Sequence, residues 1–382
     1  MTGSRDTAGR WATAEIDPAA IEHNVRAIRS AVAPADVWAV VKADGYGHGA
    51  TVAADAALRA GAVGLCVALV AEGVQLRGAG VDAPILVLSE QPVGQIGEML
   101  AHRLTPTVYT VDFVREFDAR AAGIGVHVNI DTGMQRVGVR FDETGELARA
   151  LTSSSLTVEG VFSHLACADE PDAASNRLQL ERFDQAVADL RRAGVDPRYE
   201  HTANTAAGLA LPDARRSFVR AGIGIYGISP GPGVDHLCGD LRPAMTLTSA
   251  VSFVKRVDAG SSISYGWRHR FERPTTVATV PIGYADGVPR RLGTLPDRPG
   301  ADVLIRGRRC PIVGVVTMDQ LMVDVGDADV SVGDDVVLIG AQGDERIRAE
   351  HWADRLGTIG YEIVCGITAR VPRVVRTRRE PS

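Results

Sequence analysis

The chain has 382 residues, 45% of them apolar, so it can build one large domain and a smaller one around ordinary hydrophobic cores. Its formal net charge of -6 argues against a nucleic-acid-binding surface, because phosphate recognition needs a clustered basic footprint. The polar start of the chain lacks the apolar segment of a secretory signal or membrane anchor, and the longest apolar run is too short to span a bilayer. Five scattered cysteines without C-x-x-C spacing fit reduced thiols and no metal site, so we expect a cytoplasmic protein that binds neither nucleic acid nor membrane.

Short apolar runs alternate with helix-length segments up to about residue 240. Asp17 can cap a first helix with Pro18 in its first turn, and the apolar face of that helix comprises Ile21, Val25, Ile28 and Val32. Eight runs are predicted to be strands, over residues 37–41, 64–68, 85–88, 105–109, 126–130, 158–164, 199–204 and 218–227. Eight strands separated by helices predict an α/β fold, a parallel (β/α)8 TIM-type barrel, whereas an open doubly wound sheet more often has about five to seven strands.

The pattern changes after residue 240, where a Gly- and Pro-rich segment is followed by short β-type runs. Only residues 349–357, "AEHWADRLG", are predicted to form a helix there. We therefore predict a barrel over residues 11–240 and a mostly β C-terminal domain over residues 241–382, which we expect residues 1–10 to join.

Polar residues end or follow several of the barrel strands, and in such barrels the carboxyl ends of the strands carry the chemistry. The set comprises Lys42, Asn129, Asp131, Arg136, Ser163, His164, His201, Asn204, Thr205 and Arg220. Taken singly, each is more often a helix cap or a satisfied core group than a catalyst. A lysine, an arginine and a histidine at one barrel mouth favour a functional site, because unpaired buried charges are expensive.

Lys42 lies at the end of an apolar run in "WAVVKADGYGHG" and opens a glycine-rich loop. A desolvated lysine suits Schiff-base chemistry, because burial frees the amine to attack a carbonyl. That carbonyl belongs either to a substrate, as in a lysine aldolase, or to pyridoxal phosphate. The second case needs a phosphate cradle, which the glycines of residues 220–227 and Thr205 could supply. A glycine-rich segment alone more often marks a tight turn, so the residues leave both cases open.

Eight segments occur in order between about residue 11 and residue 372: "AVVKADGYGHG", "DTGMQRVGV", "HTANTA", "VRAGIGIYG", "ISYGW", "PIGYADG", "VTMDQ" and "IGYE". With these segments the chain closely resembles the alanine racemases. The resemblance implies a pyridoxal-phosphate-dependent isomerase that works as a head-to-tail homodimer with shared active sites.

The resemblance also implies the catalytic pair. Lys42 would hold the cofactor covalently and act as one acid/base, and Tyr265 of the second subunit would be the other. Racemisation asks for one base on each face of the α-carbon. A phenol has an ordinary pKa of about 10, so it needs cationic help toward phenolate, which a chain from Tyr265 through His164 to Arg220 would provide.

Arg220 matches the arginine that faces the pyridine nitrogen in this family. An arginine cannot readily give up its proton, so the nitrogen should stay unprotonated, which favours racemisation over transamination. The cofactor shell implied by the resemblance comprises Lys42, Tyr46, His164, Asn204, Thr205, Arg220, Gly222, Ile223 and Tyr361.

Three further residues are implied to meet the substrate. Arg136 and the backbone of Met318 would bind its carboxylate, and Tyr284 would narrow the entrance. Simpler interpretations exist, since Tyr265 and Tyr284 could be β-surface aromatics, and Met318 and Tyr361 could fill a core.

The sequence departs from the family at several positions. Asn129 stands where many members carry a carboxylated lysine, so Arg136 loses an anionic partner. We hypothesise that a chloride ion or an ordered water lies beside Asn129 and Arg136. Gln135 replaces a common glycine, Thr205 a common serine, and Thr317 a common cysteine.

The sequence therefore predicts an alanine racemase that interconverts L- and D-alanine and provides D-alanine for peptidoglycan. The alternatives are a racemase for another small amino acid such as serine, or a non-catalytic pyridoxal-phosphate carrier. The carriers resemble the barrel alone, so the β domain with Tyr265 argues against the latter. A decarboxylase of the same fold is disfavoured because its second-domain cysteine motif is missing.

Overall fold

The structure is a computed structural model that describes residues 9–376. The strands, in chain order, are β1 (Thr13–Ile16), β2 (Asp36–Val40), β3 (Gly64–Val67), β4 (Ile85–Val87), β5 (Thr107–Val108), β6 (Gly125–Asp131), β7 (Val139–Arg140), β8 (Thr157–Phe162), β9 (Tyr199–His201), β10 (Phe218–Ala221), β11 (Met245–Ala250), β12 (Phe253–Val257), β13 (Ser262–Ile263), β14 (His269–Arg270), β15 (Thr275–Val280), β16 (Asp302–Ile305), β17 (Arg308–Pro311), β18 (Leu321–Gly326), β19 (Asp335–Gln342), β20 (Glu345–Ile347) and β21 (Arg373–Val375).

The helical elements are α1 (Pro18–Val32), α2 (Lys42–Tyr46), α3 (Ala50–Arg59), α4 (Val70–Gly78), α5 (Ile96–Ala101), α6 (Val111–Asp118), α7 (Thr144–Thr152), α8 (Ala174–Arg192), α9 (Thr205–Ala210), α10 (Ala349–Leu356) and α11 (Gly360–Gly366). Across residues 9–376, none of them combines the length and the apolar character that crossing a membrane requires. All five cysteines are free thiols.

The chain divides into a barrel unit, residues 19–242, and a β-rich unit, in which residues 9–18 join residues 243–376. These boundaries differ from the predicted ones, which followed residues 10 and 240. The reason at the amino-terminal boundary is backbone pairing, because β1 pairs antiparallel with β11 and parallel with β21. The predicted attachment of residues 1–8 lies outside the described residues.

Eight parallel strands of this unit form the barrel, and the two-residue β7 pairs parallel with the end of β6 beside them. One parallel row runs β10-β2-β3-β4 and the other β5-β6-β8-β9. Parallel bridges between Leu86 and Thr105 and between Asn204 and Arg220 join the rows at both sides and close the barrel. The predicted (β/α)8 fold is confirmed, and each of the eight predicted runs overlaps one of these strands.

Helix α1 shows why the alternation of elements could be recognised. It begins at Pro18, and the four apolar residues predicted to share a face are all buried. An apolar residue every three or four positions forms a stripe that must pack against other elements. The strands, buried on both faces, instead appear in the sequence as short continuous apolar runs.

The β-rich unit is built from a sheet of order β17-β16-β19-β11-β1-β21, with β20 on β19, a second sheet of order β12-β15-β18, and the β13-β14 pair. Among the β-type runs after residue 240, the segment "TLTSAVSFVKRV" lies across two strands, β11 and β12. Helix α10 lies where it was predicted. Helix α11 was not predicted, because this seven-residue helix starts and ends with glycine and so has poor intrinsic propensity.

Candidate active site

Lys42 follows β2 and begins a turn with unusual backbone geometry. The five residues 43–47 all have positive φ, between 51° and 78°. Left-handed conformation costs an ordinary L-residue about 1–2 kcal/mol, so such a run persists only where its surroundings enforce it. The strained turn directly follows the predicted catalytic lysine.

Specific hydrogen bonds hold this turn. The Asp44 carboxylate accepts from the Ala50 amide at the start of α3 at 2.8 Å. Glu72 accepts from the Ala43 amide at 2.6 Å. The result is that Tyr46 is buried, with its ring 5.1 Å from that of Tyr226.

Arg220, buried on β10, is the centre of a hydrogen-bond network. Its Nη1 donates to Nδ1 of His201 at 2.6 Å, and its Nη2 donates to the Ser163 carbonyl at 2.7 Å and to Nδ1 of His164 at 3.2 Å. A guanidinium can only donate, so both imidazoles accept at Nδ1 and carry their proton on Nε2. His201 then donates from Nε2 to Nδ1 of His127 at 2.9 Å.

The protonation of these histidines follows from their surroundings. Burial, together with the charge of Arg220, lowers the pKa of His164 and of His127 to about 3, and lowers that of His201 well below its ordinary value. Burial lowers the pKa of Arg220 to about 10, which still leaves it charged at neutral pH. Arg220 is therefore a buried cation whose three neighbouring imidazoles, those of His127, His164 and His201, are neutral.

Electrostatic effects show that the predicted charges converge on one mouth. Besides Arg220, both Arg136 and Lys42 lower the pKa of His164. Burial raises the pKa of the Cys66 thiol to about 12, against the opposing charges of Arg220 and Lys42.

A glycine-lined cradle lies beside this mouth. Thr205 Oγ1 accepts from the Gly222 amide at 2.9 Å, and Asn204 caps α9 by accepting from the Ala207 amide at 3.0 Å. A Cβ at Gly222 would lie 2.8 Å from the Tyr46 hydroxyl, and one at Gly224 would collide with Thr205. Glycine thus lets the backbone pass close to the Tyr46 hydroxyl and to the Thr205 methyl, and the hydroxyls and backbone amides gathered here suit a phosphate group.

The donor set also fits an aromatic ring nitrogen. Among residues 9–376, Nε of Arg220 has no hydrogen-bond acceptor, whereas both Nη atoms are engaged. A phosphate cradle, a lysine amine and an unengaged N–H on one mouth together fit pyridoxal phosphate.

Asn129 and Arg136 lie at and beyond the end of β6. Asn129 is buried, and Arg136 is exposed in the loop that leads to β7. Within the described part of the chain the Arg136 guanidinium has no carboxylate partner. Asp131 shapes the loop by accepting from the Gly133 and Gln135 amides at 2.9 and 3.0 Å, and Gln135 has a left-handed φ of 56°.

The barrel unit contains nine of the thirteen predicted site residues: Lys42, Tyr46, Arg136, His164, Asn204, Thr205, Arg220, Gly222 and Ile223. Ile223 begins the 3-10 turn 223–226. Four others lie in the β-rich unit. Tyr265, Tyr284 and Met318 are 68%, 40% and 52% exposed, and Tyr361 is partly exposed on α11. Among the residues described, the Tyr265 hydroxyl has no hydrogen-bond partner.

His127 was not singled out from the sequence, although the structure makes it the third histidine of the Arg220 network. The sequence did indicate a buried polar group here, because His127 is the one ionisable residue in the apolar run "VHVNI". Its partner His201 lies 74 positions away, so no local pattern could have joined the two.

Comparisons with known proteins agree with this geometry. The family model for the alanine racemase N-terminal domain matches residues 16–230, and that for the C-terminal domain matches residues 244–375. An alanine racemase of Symbiobacterium thermophilum is 48% identical over 379 residues, covering 98% of each chain. The alanine racemase structure from Streptomyces coelicolor A3(2) superposes with a TM-score of 0.91 at 38% identity, covering 98% of this chain and 100% of that one.

The structure of a Bacillus anthracis alanine racemase with bound L-Ala-P superposes with a TM-score of 0.90 at 39% identity, covering 96% of this chain and 95% of that one. The resemblance inferred from the sequence is confirmed. The chain belongs to the alanine racemase family, and it is an isomerase that uses pyridoxal phosphate.

Proposed function

We propose that the protein interconverts L-alanine and D-alanine, with Lys42 and Tyr265 as the acid/base groups on opposite faces of the substrate. The observation that carries the proposal is the barrel mouth, where Lys42, Arg220 and a neutral His164 meet beside a glycine-lined cradle. The likeness to an alanine racemase with bound L-Ala-P supports alanine as the substrate.

When bound, pyridoxal phosphate supplies a carbonyl that the Lys42 amine can attack and a ring that withdraws electrons from the α-carbon of the amino acid. Tyr46, Thr205 and the Ile223 amide would hold the phosphate, with Gly222, Tyr361 and Asn204 completing the shell. Arg220 would donate from Nε to the ring nitrogen and so prevent its protonation. By keeping that nitrogen unprotonated, Arg220 would favour racemisation over transamination.

Tyr265 would act from a second copy of the chain, so the working unit is a homodimer with shared active sites. Its large exposure suits a group that meets a partner. Because His164 accepts from Arg220 at Nδ1, its remaining Nε2–H is the donor that would face the Tyr265 oxygen. This hydrogen bond would stabilise the phenolate form of Tyr265 and so help it to act as a base.

Arg136 and the Met318 backbone amide would bind the substrate carboxylate, and Tyr284 would narrow the entrance. A chloride ion beside Asn129 would supply the anion that Arg136 lacks. KM for alanine should then fall when chloride replaces a bulky anion, and Asn129→Asp should abolish this dependence. Equal KM values for the wild type in both buffers would contradict the chloride site.

The product D-alanine would serve peptidoglycan synthesis in the cytoplasm. The decisive experiment follows L-alanine and L-serine conversion by chiral chromatography, with purified protein and pyridoxal phosphate. Alanine conversion that disappears in Lys42→Ala supports the proposal. Faster conversion of serine would identify a different amino-acid racemase, and no conversion of either would overturn racemisation of these substrates.

A further inference from the structure

Asp286, in the β-rich unit, is a fully buried carboxylate with partners on both oxygens. Its Oδ1 accepts from Arg10 Nη2 at 2.5 Å and lies 3.3 Å from Arg370 Nε. Its Oδ2 accepts from the Gly283 amide at 3.0 Å. A buried carboxylate is tolerated only with such compensation, so the cluster is a built feature of this unit.

Arg370 extends this cluster to a second loop. Its Nη2 donates to Asp319 Oδ1 at 2.7 Å, and Asp319 directly follows Met318. The hydrogen bond to Asp319 and the charge of Asp286 raise the pKa of Arg370, so it stays charged. One side chain therefore links the loop that carries Tyr284 to the loop that carries Met318.

The backbones of these two loops are also in direct contact. The Tyr284 amide donates to the Thr317 carbonyl and the Ala285 amide to the Met318 carbonyl, both at 3.0 Å. A Cβ at Gly283 would collide with the same two carbonyls, so only glycine lets the loops approach this closely. Tyr284 and Met318 nevertheless remain 40% and 52% exposed, so both side chains reach solvent.

We propose that Arg370 is a positioning residue for substrate binding, which sets the spacing between Tyr284 and the Met318 backbone by holding Asp286 and Asp319 together. The inference rests on the proposed function, in which these two groups meet the substrate. Arg10 remains paired with Asp286 when Arg370 is altered, so the buried carboxylate keeps a cation and the unit keeps its fold.

The test compares steady-state kinetics of alanine racemisation for the holoenzyme and the variants Arg370→Gln, Arg370→Lys and Asp319→Asn. KM should rise about tenfold in Arg370→Gln while kcat changes less than about threefold, because binding is weakened and the bases are untouched. Arg370→Lys should also raise KM, since one ammonium cannot reproduce the two-sided geometry of a guanidinium. The double variant Arg370→Gln/Asp319→Asn should have the KM of Arg370→Gln alone, because both changes break the same contact.

Arg306 provides a matched control. It is 45% exposed, almost the same as Arg370 at 46%, and likewise bridges two aspartates of this unit, Asp329 and Asp334. Arg306→Gln should leave KM and kcat unchanged. Three results would overturn the proposal. The Arg370 variants could have the same KM and kcat as this control, they could lose kcat at constant KM, or their effect on KM could add to that of Asp319→Asn. Wild-type protein that racemises neither alanine nor serine would instead overturn the proposed function, and this inference with it.

Discussion

The predicted functional groups of the barrel mouth and of the β-rich unit differ in burial and in hydrogen bonding. At the mouth, Arg220 is buried and donates to two imidazoles and three carbonyl oxygens, so its position and charge are settled by the fold of one chain. In the β-rich unit, Tyr265 is exposed, and its hydroxyl has no partner in the described chain. The contrast indicates that substitutions at the mouth should affect stability and activity together, whereas those at Tyr265 should affect activity alone.

Tyr265→Phe tests the exposed side of this comparison and should have the largest effect. It removes one acid/base group, so kcat should fall by about 10²–10⁴-fold. The melting temperature should stay unchanged, because no intramolecular contact of the hydroxyl is lost. Phe253→Ala, a change of another exposed aromatic of the same unit, should leave kcat unaltered. A large loss of thermal stability in Tyr265→Phe would contradict the contrast.

Arg220→Lys tests the buried side. An ammonium cannot reach His201, His164 and the Ser163 carbonyl together, so buried acceptors lose their donors. The free energy of unfolding should fall by about 2–4 kcal/mol, and racemase activity should fall with it. Urea unfolding beside Arg306→Lys, an exposed control, measures the difference. Equal stability of both variants would show that the network contributes little.

The neutral histidines predict how stability depends on pH. The pKa of His127 is about 3 in the folded protein and about 6.5 when unfolded, so between these values the unfolded chain binds more protons. The free energy of unfolding should therefore fall with decreasing pH in this window, by about 1.4 kcal/mol per pH unit for each such histidine.

His127→Asn isolates one of these contributions. The amide oxygen can still accept from His201, but the side chain no longer titrates. The free energy of unfolding of both proteins is measured by urea unfolding at pH 7 and at pH 5. The difference between wild type and variant should be smaller at pH 5. A difference that stays constant over this range would contradict a neutral buried His127.

Gln135→Gly should have the smallest effect. Gln135 has a left-handed φ of 56°, which glycine adopts without a Cβ penalty, so stability should rise by up to about 1 kcal/mol. Gln135→Ala keeps the Cβ and should give no such gain. A stabilising Ala variant would show that the side chain itself, rather than the backbone angle, is unfavourable.

Much of the barrel could be predicted because its signals are local. The apolar runs marked all eight strands, and the polar residues that follow them include Lys42 and Arg220. Strand β1 was missed because its pairing with β11 joins residues more than 200 positions apart. The roles of individual site residues remain proposals.

The sequence by itself determined the alternation of strands and helices, the family, and the chemistry available at the strand ends, because periodicity and motifs lie within short segments. Only the tertiary structure decided that residues 43–47 wind left-handed, that the buried histidines are neutral, and that Arg370 joins two loops. These properties depend on burial and on contacts between residues distant in the chain. A backbone strain or a pKa is set by the whole environment of a group and cannot be inferred from its neighbours in sequence.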